Sequence, residues 1–235
     1  ETDKFVNMVL ERVRNWDFSE IVMPGEAVEP DGTPSDVIAN TVLVSKQSTS
    51  FAGSSYGRAY NIKLGLQKIN GKIVQPGETF SVEDALGNTT DGRIWKSAGA
   101  IENGVPTDAI GGGICQVSTT LFMACLQADL SIVERHNHAA RIDYVDDGLD
   151  AAVVYGSQDF RFQNNTSYPI KISAVYDEAE ESVTVSLYGT KENNNTVEIT
   201  TEHSDPNTCK TYRSVYDEAG NLLRTEEVGY SQYKQ

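Results

Sequence analysis

Residues 111–130, GGGICQVSTTLFMACLQADL, limit what this chain can fold into more than any other stretch. Gly111, Gly112 and Gly113 lack a Cβ, so the backbone there can take a tight path and come close to another group. Beyond them Val117, Leu121, Ala124 and Ala128 recur at helical spacing, with Phe122 and Cys125 beside them. Gln116, Ser118, Thr119 and Gln127 fall on the other faces. The stretch predicts a glycine turn that delivers Cys115 to the first turn of a mostly buried helix.

A cysteine in that position is chemically unusual. The first helical turn carries unpaired backbone N–H groups and the positive end of the helix dipole. Both favour thiolate over thiol, which lowers the pKa and raises reactivity. The same N–H groups can bind a developing oxyanion. A nucleophile beside an oxyanion site is half of an acyl-transfer centre. The alternative is a small buried hydrophobe, as most free cysteines are.

Composition narrows the setting. A chain of 235 residues holds one large domain or two small ones, and 39% hydrophobic residues suffice for a core. The net charge of −15 argues against nucleic acid and against an anionic membrane surface as partners. The cysteines at 115, 125 and 209 are odd in number, so at least one is free or pairs between chains. Cys115 and Cys125 stand about 15 Å apart along one helix, too far to bridge. No cysteine pair has zinc-site spacing, and the sequence suggests neither metal nor organic cofactor. The sequence starts at Glu1 rather than Met and contains no signal peptide and no apolar run near 18 residues. The sequence is therefore read as an excised piece whose targeting or anchoring segment is left out.

Along the chain, residues 2–16 read as an amphipathic helix with Phe5, Val9, Val13 and Trp16 on its stripe. Residues 24–36 are a Pro/Gly/Asp-rich linker, 37–45 a strand, and the polar stretch after them a surface loop. Residues 58–69 have a helical pattern, and 73–82 mix strand residues with a Pro-Gly turn. Residues 85–97 are irregular, with Trp95 expected in the core rather than as a cleft wall. After the cysteine helix, 135–145, 150–156, 159–165, 168–177 and 181–189 read as an antiparallel meander. Residues 196–203 and parts of 212–230 add strands, with a hairpin turn at 219–221 and a boundary at 193–195.

A thiol nucleophile needs a base, and the base an orienter. His136 and His138 follow the cysteine helix and, on a strand, would share a face. His203 lies far away and is discounted. Asp150 or Asp159, each at the start of a strand, is a candidate orienter. Arg135 and Arg141 flank the histidines and could bind a substrate carboxylate, an ordinary surface ion pair being the simpler reading for Arg141. The order cysteine helix, histidine strand, acid is papain-like, an analogy of architecture.

Residues 54–189 resemble the VanW domain. The resemblance rests on RAYNI (58–62), INGKIVQPGETFS (69–81), GGGICQVSTTLF (111–122), ERHNH (134–138), GLDAAV (148–153) and DFRFQNNT (159–166). It implies a Gram-positive cell surface or cell wall, with the full protein membrane-anchored. Residues 1–40 are then the end of a preceding module, 41–190 the catalytic domain, and 191–235 a β-rich G5-like extension. Some members of that family are held to be L,D-transpeptidases that act on peptidoglycan stem peptides. On that basis Cys115 attacks the carbonyl of the third stem residue, D-alanine leaves, and a second stem's amine resolves the thioester into a 3–3 cross-link. By position in the motifs Cys115 is the nucleophile, His138 the base and Asp150 the orienter, with Asp159 second. Gly113, Gln116, Ser118, Arg135, His136 and Asp159 are the oxyanion or substrate-binding candidates.

Two other readings remain: a thiol peptidase that hydrolyses stem peptides, and a non-catalytic wall-binding module in which Cys115 only packs. All share one fold expectation. It is α+β, with the cysteine helix packed on an antiparallel sheet and a small β extension after it. The sequence is silent on oligomeric state.

Overall fold

The computed structural model describes residues 41–102 and 105–234. The helix expected at 2–16, the linker at 24–36 and the start of the strand at 37–45 lie outside them. In chain order the elements are β1 (Thr41–Ser50), α1 (Tyr56–Ile69), β2 (Ile73–Val74), β3 (Thr79–Ser81), α2 (Val82–Leu86), β4 (Ser97–Glu102), β5 (Val105–Ile110), α3 (Ile114–Gln127), β6 (Ser131–Glu134), β7 (Arg161–Gln163), β8 (Ile170–Asp177), β9 (Ser182–Thr190), β10 (Thr196–Asp205), β11 (Thr208–Tyr216) and β12 (Leu222–Gln232). The strands form a sheet in the order β1-β9-β8-β2, a sheet β3-β7-β6, a sheet β10-β11-β12 and a hairpin β4-β5. Every pairing is antiparallel. Few helices with several antiparallel sheets make a mixed structure consistent with the expected α+β class.

The sheet that carries α3 follows the period-two rule. Ile170, Ile172 and Ala174 of β8 are buried while Lys171 and Val175 face outward, and Val183, Val185 and Leu187 of β9 turn to the same core. α3 lies across β1 and β9, and α1 packs on β8 and on α3. Gly65 permits the close helix contact, since a Cβ there would stand 3.2 Å from Val117 Cγ2. Ile62, Leu66 and Ile69 of α1 meet Leu121 and Phe122 of α3 in one core with Phe160 and Phe162. Each such side chain contributes about 1.5–3 kcal/mol through burial. Trp95 is 1% exposed and is a core residue.

Several expectations need correction. β1 runs to Ser50, through residues read as a surface loop, because β9 supplies it with a complete antiparallel partner. Residues leading into α3 form the β4-β5 hairpin. The expected five-strand meander is split. β6 and β7 join β3 in one sheet, whereas β8 and β9 belong to another. Residues 135–145 and 150–156 are not strands, apart from one bridge between Val154 and Gln158. α3 is buried nearly all round, Gln116, Ser118 and Thr119 as completely as Val117 and Leu121.

The last three strands make a sheet of their own. Its hairpin turn closes at Asp217–Asn221, with Gly220 at φ +82°. The sheet is tied back to the body. Gln127 Nε2 donates to the Val197 carbonyl (2.8 Å), Arg213 Nη1 to that of Leu130 (2.7 Å), and Lys234 N to that of Ala139 (2.7 Å). Residues Ala39–Gln235 cluster as one unit. No helix among the described residues is long and apolar enough to cross a membrane.

Candidate active site

The glycine run is set by how closely the chain crosses itself. A Cβ on Gly112 would lie 2.3 Å from the Ala98 carbonyl oxygen. Gly113 has φ +102°, and a Cβ there would lie 2.7 Å from Arg58 Cγ. Buried Asn61 fixes the crossing. Its Nδ2 donates to the carbonyls of Lys96 and Gly112 (both 2.9 Å), and its Oδ1 accepts from Lys96 N (2.8 Å). α3 starts directly after Gly113, and Cys115 is its second residue. The N–H groups of Ile114 and Gln116 donate to the Gly111 and Gly113 carbonyls. That of Cys115 has no acceptor among the described residues and faces the start of the helix.

Side-chain hydroxyls stitch α3 to residues 150–153. Ser118 Oγ donates to the Ala151 carbonyl (2.5 Å), and Ala151 N donates to Thr119 Oγ1 (3.0 Å). This places Asp150 and Val153 beside the first turn. Cys115 Sγ lies 3.5 Å from the Val153 carbonyl, and Cys115 and His138 line the same groove. His138 Nδ1 is 2.7 Å from Asp150 Oδ2, which also accepts from the His138 backbone N–H (2.6 Å). Nδ1 is thereby engaged, which leaves Nε2 for the thiol.

Charge follows from that geometry. Burial pushes the Cys115 thiol up, but the hydrogen bond and charge of His138 outweigh it and leave the pKa below its ordinary value. Burial works against the His138 cation, yet Asp150 and Cys115 together raise its pKa from 6.5 to about 9. Burial opposes the Asp150 charge as well. His138 and Arg135 overcome it, so the carboxyl titrates below the usual carboxylate range. The lowered thiol and the raised imidazole both shift this chain of groups towards a thiolate–imidazolium pair beside the Asp150 carboxylate.

The other candidates fall elsewhere. Gln116 is buried, with Nε2 donating to Thr49 Oγ1 (3.0 Å) and the Ser50 carbonyl (2.8 Å), and Oε1 accepting from Arg58 Nη2 (2.7 Å). Its amide is fully engaged. Asp159 caps α2, accepting from Ser81 Oγ (2.5 Å) and Glu83 N (2.8 Å), and is not brought to His138. His136 pairs with Glu134 (2.9 Å). The Arg135 side chain is 4% exposed and paired with Asp150 (2.9 Å), so its guanidinium is not offered to a ligand. Arg141 is paired with Asp147 (2.8 Å) at the surface and lines the groove beside Cys115. His203 stands 3.7 Å from Asp147. The histidine and the acid that meet Cys115 sit on irregular chain rather than on strands.

Cys115 and His138 open on a cavity of about 940 Å³, walled by Ile142, Val153, Val154 and Tyr155. A second cavity of about 600 Å³ adjoins it, lined by Ser54, Ser55 and the Phe51–Gly53 loop. Arg58, Asp108, Asp143 and Tyr144 border both. Arg58 is held in place by Ser54 Oγ (2.7 Å) and Gln116, with its guanidinium 5.7 Å from the Tyr144 ring. Sequence reasoning assigned no role to Arg58 or Tyr144. Arg58 stands in the RAYNI motif, a signal that was there to be used. Among the described residues no three His, Cys, Asp or Glu side chains converge as a metal site needs.

The family described as VanW like protein matches residues 57–188. A Bacillus subtilis (strain 168) protein, YoaR, is 40% identical over 158 residues, which are 66% of this chain and 52% of that protein. The vancomycin B-type resistance protein VanW of Enterococcus faecalis (strain ATCC 700802 / V583) is 30% identical over 127 residues, 52% of this chain and 46% of that protein. The chain spans about half the length of these relatives. No solved structure matches it. The matched region holds Cys115, His138, Asp150 and most of the groove, and it covers more than half of the 235 residues. The chain therefore belongs to the VanW family.

Proposed function

We propose that this protein is a cysteine acyltransferase of the cell wall, an L,D-transpeptidase that joins peptidoglycan stem peptides by 3–3 cross-links. The Cys115–His138–Asp150 relay, opening on a two-lobed groove, carries this reading. A packing cysteine needs no imidazole held by a buried carboxylate, which disfavours a wall-binding module without chemistry. The vancomycin-resistance name of one relative supports a cell-wall setting, and with it an extracellular position in which the whole protein is membrane-anchored.

In this scheme the Cys115 thiolate attacks the carbonyl carbon of the third stem residue, and a C–S bond forms. The oxyanion develops towards the Cys115 N–H. His138, protonated, gives its proton to the departing D-alanine nitrogen as the C–N bond breaks, and a thioester remains. The neutral amine of a second stem then attacks the thioester. His138 takes that amine's proton, the C–S bond breaks, and the thiolate is restored. Arg58, which borders both lobes, is the group that would attract a substrate carboxylate, with Asp108 and Asp143 attracting the amine-bearing partner. Apolar walls at Ile142, Val153 and Val154 limit water, which favours the amine over hydrolysis.

Incubation with a disaccharide-tetrapeptide, read by mass spectrometry beside Cys115→Ala, tests this. The expected product is a cross-linked dimer short of one D-alanine, absent from the variant. Free tripeptide without dimer would make the protein a hydrolase. No turnover together with an unreactive thiol would leave the binding module.

A further inference from the structure

Asp150 is gripped from behind by Tyr233, a residue beyond the region that matches the family, and by Arg135, which that same segment anchors. Its side chain is 1% exposed and both oxygens are fully engaged. Oδ2 accepts twice from His138. Oδ1 accepts from Arg135 Nη2 (2.9 Å) and from the Tyr233 hydroxyl (2.8 Å). The same hydroxyl accepts from Gly148 N (2.7 Å), so its single proton is committed to Asp150. Tyr233 is 3% exposed. Its N–H donates to the Asn207 carbonyl (2.9 Å), and the Arg141 guanidinium lies over its ring. Arg135 is anchored by the same segment, with Nη1 donating to Ser231 Oγ (2.8 Å) and to the Tyr230 carbonyl (3.3 Å).

We infer that the β10-β11-β12 sheet is part of the catalytic unit, with Tyr233 a positioning residue that fixes Asp150 and, through it, His138. The inference rests on the acyl-transfer reading and deepens it. A carboxylate turns about its Cβ–Cγ bond unless both oxygens are held. His138 needs one oxygen in one place to keep Nδ1 engaged and Nε2 aimed at the thiol. Arg135 holds Oδ1 by charge. Tyr233 supplies the second, directional bond, and its donor comes from chain held to the β10-β11 turn at Asn207 and to the body at Ala139. The groups facing Asp150 are thus His138, Arg135 and Tyr233, with Cys115 beyond the imidazole.

The test reads the thiol directly, without stem peptide. Alkylation of Cys115 by iodoacetamide is followed against pH in the full chain, in Tyr233→Phe and in Tyr216→Phe, with Cys115→Ala as the blank. Tyr233→Phe keeps the ring and loses the donor. Its profile is expected to move up towards that of a free thiol, and its rate near pH 6 to fall about tenfold, as for a lost hydrogen bond to a charged group. Its melting temperature should stay near that of the parent. Tyr216→Phe loses a tyrosine bond to Glu198 on the same sheet (3.0 Å) and should keep the parent profile. An unchanged profile in folded Tyr233→Phe overturns the inference, as does an equal shift in both variants. Should Tyr233→Phe fail to fold, Ser231→Ala is read by the same criterion: a shift supports the inference and an unchanged profile overturns it. A parent thiol that titrates like free cysteine overturns this inference and the acyl-transfer reading together. A reactive parent that shows the expected shift but does not turn over stem peptides upholds the positioning and overturns the substrate alone.

Discussion

Cys115 and Cys125 ride the same helix, yet the protein treats their sulfurs in opposite ways. Cys125 sits in the core beside Phe122 and Leu126, where burial pushes its thiol well above the ordinary value. Cys115 is also largely enclosed, and burial alone would do the same to it. What separates the two is one imidazole, held by one buried carboxylate and aimed at one of them. Helix position supplies a free N–H at Cys115, but the larger contribution comes from chain that folds against the helix from elsewhere. A reactive cysteine is thus made by its partners more than by its place in a helix.

The most drastic way to break the contrast is to exchange which sulfur is missing. Cys115→Ala should abolish cross-linking in the mass-spectrometric assay, whereas Cys125→Ala should keep it. Removing the partner comes next. His138→Ala should cost roughly 10²–10⁴ in kcat/KM, the span of a positioned acid–base group. It should also bring Cys115 alkylation towards that of a free thiol. Asp150→Asn should follow the same course less steeply. Asp150→Ala would in addition leave Arg135 buried without its counter-ion, at about 3–5 kcal/mol of stability in denaturant melts.

Solution pH sharpens the contrast more gently. The folded pKa of His138 lies above its ordinary 6.5, so its stabilising contribution is complete below that value and fades as pH rises through about 9. Turnover should fall along the same alkaline limb, and Cys115→Ala should retain the part of the stability change that Asp150 causes. Melting temperatures between neutral and alkaline pH check the sign. The smallest effect belongs to Gly113→Ala, where φ +102° and the Arg58 contact predict a loss of about 1–3 kcal/mol in denaturant melts and a slower alkylation of Cys115 alone.

Much of the helix and its glycine turn was legible, because periodicity and missing Cβ atoms are local signals. The α3 helix starts after Gly113 as the pattern at 111–130 implies. The chain at 135–145 misled for an equally local reason. Its residues suit a strand, but its hydrogen bonds go to scattered partners rather than to one neighbouring strand, the carbonyls of His136 and Ala139 accepting from Ala152 N and Lys234 N. The His138 N–H is taken by Asp150, and Asn137 Nδ2 donates to the Gln232 carbonyl (2.9 Å). Asp150 and Asp159 looked alike in sequence, each opening an apolar run. Tertiary structure separates them, since Ser81 and Glu83 had already claimed Asp159. Arg135 carried no sign that its charge would face inward. Tyr233 carried none at all, because nothing near it in sequence belongs to the site.

The site is also spread out in time. Cys115 is synthesised first, then His138, then Asp150, and Tyr233 after all of them. On the inference that Tyr233 fixes Asp150, the thiol lacks its settled imidazole until the last of these has been made and docked. A nascent or partly folded chain would then carry a less reactive sulfur, and the β10-β11-β12 sheet would act as a late licence for the nucleophile rather than an appendage to it.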